Sequence, residues 1–228
     1  MCRNYGGKHL LVSSPEALNQ TLKQDIPQVP PSVTSEGYEV QFGTNHIAHA
    51  LLIQILLPLI LKSADGRVVI VTSLGATYAA LIPGGIAFDS IKTDQASISR
   101  VLPQWVRYGQ SKLANRLYVL ALARRYPSLI VAAIHPGSVR TEIITTRSSM
   151  SQRLIGFFNF VLREEILTPE QGIASQLWAV SADKAKIRSG AFYEPVGKPG
   201  RSFKYEADEE LANKLYDWTE SELAKWKK

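Results

Sequence analysis

Two short runs of apolar, largely β-branched residues leave this chain few folds to adopt. Arg67-Val68-Val69-Ile70-Val71-Thr72-Ser73 and Leu129-Ile130-Val131-Ala132-Ala133-Ile134-His135 are continuous rather than alternating. A strand with one wet face alternates apolar and polar side chains. A continuous run reads as a strand covered on both faces, as in parallel sheets. The segment between them, Tyr108 to Tyr126, is rich in Leu, Ala and Arg and stops at Pro127, a residue that cannot continue a helix. Strand, helix and strand in that order predict an α/β layered domain.

The rest of the chain fits that frame. A long apolar helix is expected over about Tyr38 to Lys62, ended by Ala64-Asp65-Gly66. Residues 74–100, with Gly75, Pro83, Gly84 and Gly85, read as a long loop, and loops of this length are functional or disordered. Thr145 to Glu165 is amphipathic and partly helical in pattern. Thr168-Pro169-Glu170-Gln171 carries a capping-box pattern that opens a helix running to about Ala182. Gly190 to Pro195 predicts a third strand and Ala207 to Lys228 a terminal helix. Residues 1–29 read as an atypical segment ahead of a domain over 30–228. Within it His9 to Ser13 has the pattern of a short strand, Pro15 to Gln24 that of a helix, and Asp25 to Pro31 that of a linker.

Composition narrows the function. Hydrophobic residues make up 45% of the 228 and charged residues 20%, an ordinary globular balance. The net charge is +6, but the basic residues are scattered among acids, which argues against a nucleic-acid face. Cys2 is the single cysteine, so no internal disulfide or thiolate metal site exists and a reducing, cytoplasmic setting is expected. His46 and His49, three apart with no carboxylate in register, read as core or cap histidines rather than metal ligands. The most apolar stretch, Ile47 to Leu61, falls short of the roughly 20 residues that span a bilayer. It is expected to be a buried or interface helix, with no transmembrane segment.

Tyr108-Gly109-Gln110-Ser111-Lys112 carries the chemistry. Residues four apart on a helix share a face. An ammonium beside a phenol favours the phenolate and makes tyrosine a usable proton carrier at neutral pH. The spacing alone is common on exposed helices. Here, however, one buried strand delivers Ser73 at its carboxyl end, and the next ends at His135-Pro136-Gly137 on the same edge. In open α/β sheets that edge is where ligands bind.

Together these residues resemble the short-chain dehydrogenase/reductase family, in its retinol-dehydrogenase-like branch. The resemblance runs from about Pro30 to Gly197. It rests on Phe42-Gly43-Thr44-Asn45-His46-Ile47-Ala48-His49, Val71-Thr72-Ser73, Tyr108 to Lys112 continued as Leu-Ala-Asn115, and Pro136-Gly137-Ser138-Val139-Arg140-Thr141. Phe88-Asp89 in the long insertion adds to it. The resemblance implies a Rossmann-like, doubly wound parallel sheet and NAD(P)-dependent interconversion of a carbonyl and an alcohol, with NADP slightly favoured over NAD. It implies Tyr108 as proton carrier and Lys112 as its electrostatic partner and ribose ligand. Ser73 would hydrogen-bond the substrate oxygen, and Asn45 would hold a relay water. Val139 and Thr141 would contact the nicotinamide carboxamide and a nearby phosphate. A lipophilic small molecule is the implied substrate, with secondary metabolism as a setting. Trp105, Phe157, Phe158 and Phe160 would line its pocket or serve as ordinary core. A homodimer through the central helices is the implied partner.

One departure is conspicuous. The family opens with a strand and a Thr-Gly-x-x-x-Gly-x-Gly turn that cradles pyrophosphate on backbone amides. Gly6-Gly7 follows no strand and has no third glycine in register. The family's Asn-Asn-Ala-Gly is absent before Pro30 as well. The expectation is therefore a sheet lacking its first strands and the glycine-rich cofactor turn. It leaves open an alternative: a non-catalytic relative acting as an interaction protein.

Overall fold

The computed structural model describes residues 9–12, 30–139 and 166–226. Their sheet has five strands: β1 (His9–Val12), β2 (Arg67–Val71), β3 (Ile130–Ile134), β6 (Phe192–Glu194) and β7 (Lys198–Pro199), in the spatial order β1-β2-β3-β6-β7. β1, β2, β3 and β6 run parallel, and β7 turns back antiparallel on β6. A separate two-stranded ladder joins β4 (Ser138–Val139) to β5 (Ile166–Leu167).

The continuous runs behave as their composition dictates. Val68, Ile70, Val131 and Ala133 enter one apolar cluster, and Val69, Ala132 and Ile134 enter another. Successive side chains of a strand point to opposite faces, so both faces of the sheet are covered. On the first side lie α1 (Val40–Ile60), α2 (Pro103–Arg125) and α4 (Glu209–Leu223). On the second lies α3 (Pro169–Ser181), whose Ala179 and Trp178 pack onto it. This is the doubly wound arrangement expected from the sequence. β1 belongs to the first 29 residues and pairs with β2 from His9↔Arg67 to Val12↔Ile70. It takes the sheet position on the side of β2 opposite β3.

Local chemistry sets the helix ends. The Glu39 carboxylate accepts the Phe42 N–H at 2.7 Å and starts α1. Thr168 and Gln171 form both bonds of the capping box, and Asp208 caps α4 through the Leu211 N–H. α2 begins at Pro103, ahead of its expected start at Tyr108. Pro103 sits in the first turn, where its missing N–H costs nothing. The expected loop over 74–100 is partly ordered by tight turns, Leu74–Leu81 and Phe88–Ser90. Ser73 opens the first by accepting the Gly75 N–H at 3.1 Å. α1 stays within its expected span. Its 21 residues are long and apolar enough to cross a bilayer. Ile53, Leu57 and Ile60 pack into the sheet-facing core, while Leu52, Ile55 and Leu59 on the other side are exposed. Thr145 to Glu165, with Phe157, Phe158 and Phe160, lies outside the described residues, as does the Pro15-to-Gln24 helix expectation.

α2 is the axis of the molecule. From Val106 to Val119 every residue is buried. α4 closes over it and over the start of α1. Trp218 meets Tyr38, Phe42 and Phe88 edge-on, and Tyr216 stacks on Tyr118 at 5.6 Å. Arg116 pairs with Glu206 at 2.9 Å just before α4 begins. The chain's own terminal helix thus covers part of the two central helices.

Candidate active site

Three elements converge at the carboxyl edge of the sheet. β2 delivers Ser73, α2 delivers Tyr108 and Lys112, and β3 ends at Pro136-Gly137. Lys112 is 1% exposed, and its Nζ lies 5.6 Å from the centre of the Tyr108 ring. A buried ammonium is costly unless its surroundings use the charge, and the adjacent phenol is a group that can. Ser73 and Tyr108 meet across Gly75. A Cβ placed on Gly75 would fall 2.7 Å from Tyr108 Cε1 and 3.4 Å from Ser73 Oγ. Gly75 is thus the spacer that lets the tyrosine ring lie beside the serine. Gly75→Ala should push the ring aside. We expect turnover to fall by about 10²-fold while the melting temperature moves little, measured by steady-state kinetics beside thermal unfolding.

Two hydrogen bonds staple the end of β2 to α2. Thr72 Oγ1 donates to the Lys112 carbonyl at 2.7 Å, and Asn115 Nδ2 donates to the Val71 carbonyl at 3.2 Å. These bonds bracket Ser73 and Lys112. Sequence reasoning quoted Thr72, Ser111 and Asn115 as parts of motifs without giving them work. The signal for Thr72 was a β-branched hydroxyl one residue before the site serine, which also reads as an ordinary strand residue.

Asn45 lies in a distorted turn of α1. Over Gly43–Ile47 the helix widens, so the Ala48 N–H bonds the Gly43 carbonyl five residues back. The Thr44 carbonyl instead accepts from His49 Nδ1 at 3.1 Å. Such wide turns cluster at functional sites. Asn45 is fully buried and its Nδ2 donates to Ser111 Oγ at 3.0 Å, which in turn donates to the Tyr108 carbonyl at 2.8 Å. The Asn45 Oδ1 is buried and accepts no hydrogen bond among the described residues. A buried acceptor of this kind costs stability unless a water or ligand proton meets it. This fits a relay water, the role the family gives this residue.

The nicotinamide end of a dinucleotide fits the residues present. Lys112 and Tyr108 face one edge, and the chain leaves β3 at Gly137 with φ +90, a conformation open to glycine. A Cβ there would strike Leu167 at 2.6 Å. Val139 follows in β4, with its side chain against Gly172 of α3; a Cβ on Gly172 would lie 2.5 Å from Val139 Cγ2. The Val139 backbone is what remains for a cofactor. Thr141 lies outside the described residues. Trp105 is half-buried and tilts against Tyr78 with ring centres 5.3 Å apart.

His46 is a core histidine, as its spacing suggested. It is 1% exposed, edge-on to Phe42 and Tyr118, and hydrogen-bonded to Asn115 and Thr219. Burial pushes its imidazole down to about 3, against the smaller upward pull of the Asn115 bond. The folded form therefore stays neutral where the unfolded form, near 6.5, takes up a proton. Stability should fall as pH drops below about 6.5, by up to ~1.4 kcal/mol per pH unit. Urea unfolding between pH 7 and 5 should show this slope, and His46→Gln should flatten it. That window lies above the depressed carboxyl groups of Asp65, Glu194 and Glu222.

No family model matches the chain. A short-chain dehydrogenase/reductase of Armillaria gallica is 31% identical over 195 residues, covering 83% of this chain and 59% of that protein. Human retinol dehydrogenase 14 is 32% identical, covering 85% of this chain and 54% of that protein. A short-chain dehydrogenase/reductase of Aspergillus calidoustus is 31% identical over 220 residues, covering 88% of this chain and 66% of that protein. Among solved structures, an uncharacterised protein from Mycobacterium paratuberculosis superposes with a TM-score of 0.59 at 26% identity, covering 86% of this chain and 63% of that one. The chain thus spans under two thirds of the length of these relatives. The motifs on β2, α2 and β3, the doubly wound sheet and these likenesses agree: the chain belongs to the short-chain dehydrogenase/reductase family.

Proposed function

We propose that the chain carries the catalytic half of an NAD(P)-dependent oxidoreductase that interconverts a carbonyl and an alcohol on a lipophilic small molecule. The observation that carries this reading is the buried Lys112 beside Tyr108, with Ser73 brought to the same ring across Gly75. The chemistry supplied by a bound nicotinamide is hydride transfer at the carbonyl carbon. Tyr108 gives the proton to the forming alkoxide, or takes it in oxidation. Lys112 stabilises the phenolate left behind and would bond the nicotinamide ribose. Ser73 donates to the reacting oxygen as charge develops on it. Asn45 holds the water that returns the proton, using the acceptor left open at Oδ1. By the family resemblance, Val139 and Thr141 would contact the carboxamide and a nearby phosphate.

The lipophilic substrate rests on the retinol dehydrogenase relatives and on the Tyr78–Trp105 pair near the start of α2. A role in secondary metabolism and a cytoplasmic setting remain part of the proposal on the sequence grounds already given. NADP is favoured over NAD by the resemblance alone.

One observation supports the alternative, an interaction protein. Leu52, Ile55 and Leu59 are 42%, 58% and 48% exposed and lie along one side of α1. A homodimer through the central helices would use this strip. Fluorescence titration with NADPH and NADH separates the readings. Saturable binding is expected. Its absence at millimolar cofactor would leave the interaction reading standing.

A further inference from the structure

A line of buried hydrogen bonds runs from the terminal helix to the strand that carries Ser73. Thr219 of α4 is fully buried, and its Oγ1 lies 3.0 Å from His46 Nε2. His46 Nδ1 lies 3.3 Å from Asn115 Oδ1, and Asn115 Nδ2 donates to the Val71 carbonyl at 3.2 Å. The direction of every bond follows from its last acceptor. A backbone carbonyl only accepts, so the Asn115 amide must turn its NH2 toward Val71. Its oxygen then faces His46, which must carry its proton on Nδ1. Nε2 is left as an acceptor, and the Thr219 hydroxyl must donate to it. This pattern belongs to the neutral imidazole, the form that burial favours; with a proton on Nε2 as well, the ring would donate there and the threonine oxygen would accept.

The far end of this line is mechanically important. Val71 lies one residue past the last pairing of β2 with β1. Beyond it come Thr72, tied to the Lys112 carbonyl, and Ser73. We propose that Thr219, His46 and Asn115 form a positioning chain through which α4 sets the placement of Ser73 relative to Tyr108 and Lys112. This rests on the reading of those three residues as a reductase site. The positioning residues touch no reacting atom. They act by holding the end of β2 against α2. The site is then assembled only when the terminal helix is seated, although that helix contributes no side chain to the chemistry.

Thr219→Val removes the hydroxyl at nearly constant volume, and Thr219→Ser restores it. With wild-type turnover established, Thr219→Val should lower kcat by about 10-fold or more with little change in cofactor Kd, and Thr219→Ser should recover most of it. An unchanged kcat in Thr219→Val would overturn the inference. A second readout does not depend on activity. Nitrogen-15 spectra should show the His46 proton on Nδ1, and Thr219→Val should shift the backbone amides of Val71, Thr72 and Ser73. A proton on Nε2, or shifts confined to α4, would overturn the positioning chain even if no substrate is turned over. Absent turnover in the wild type, with those shifts present, would instead overturn the reductase reading alone.

Discussion

Tyr108→Phe is expected to lower kcat/KM by about 10² to 10⁴-fold, the usual range for a lost general acid or base. The ring stays, so Gly75 keeps its packing partner and the Lys112 ammonium keeps the aromatic face beside it. Cofactor affinity and melting temperature should therefore change little. That split separates a proton carrier from a residue that merely fills space. Tyr108→Ala would confuse the two, because it also opens a cavity next to Gly75. Turnover that survives Tyr108→Phe would remove Tyr108 from the mechanism.

Arg107→Ala is expected to cost about 3–5 kcal/mol of stability, the range for breaking one half of a buried ion pair. Arg107 is 1% exposed and Glu39 is fully buried, with Nε 3.4 Å from Oε1. The second Glu39 oxygen caps α1 at Phe42. The pair thus ties the first turn of α1 to the first turns of α2. Burial already raises the Glu39 carboxyl above the ordinary range, and Arg107 is among the groups that oppose that rise. Without the guanidinium the carboxylate is left uncompensated, and it escapes only by taking a proton. The loss should accordingly be larger at pH 8 than at pH 5, as read by urea unfolding at both. Combining Arg107→Met with Glu39→Gln should recover most of the lost stability, since an apolar and a neutral polar group can share that space. A loss that does not depend on pH would show that Arg107 matters for its packing and not its charge.

The parts of this molecule that could be read from sequence are those governed by local patterns. Val68 to Val71 and Ile130 to Ile134 announce buried parallel strands because both faces need covering, and both are covered. Thr168-Pro169-Glu170-Gln171 announces a helix start because its bonds are made within one turn. Tyr108 and Lys112 are legible because helical spacing alone puts them on one face. What stayed hidden depends on contacts distant in sequence. Residues 74–81 look like a glycine-containing loop until their packing against α2 is known. Gly75 looks like a turn glycine, although its work is to admit the Tyr108 ring. Thr219 looks like any threonine on an amphipathic helix. Its partner, His46, lies 173 residues away, and no periodicity records that meeting. The wide turn at Gly43–Ile47 is hidden for the same reason. Phe42-Gly43-Thr44-Asn45 reads as plain helix, and the distortion is held by His49 reaching back to Thr44.

The seating of α4 has a consequence for how the chain matures. Tyr38 donates to Glu222 across 184 residues of sequence, and Lys92 reaches the same carboxylate at 2.7 Å. A chain is made from its amino terminus, so α1, α2 and all the strands leave the ribosome before α4 does. Until then Phe42, Tyr118 and the edge of His46 have no cover. Contacts so far apart in sequence also close slowly. The newborn protein therefore passes through a stage with a sheet, two central helices and an open aromatic surface, the kind of intermediate that chaperones engage. Synthesis that stops short of residue 209 would leave that surface open for good, marking the fragment for clearance.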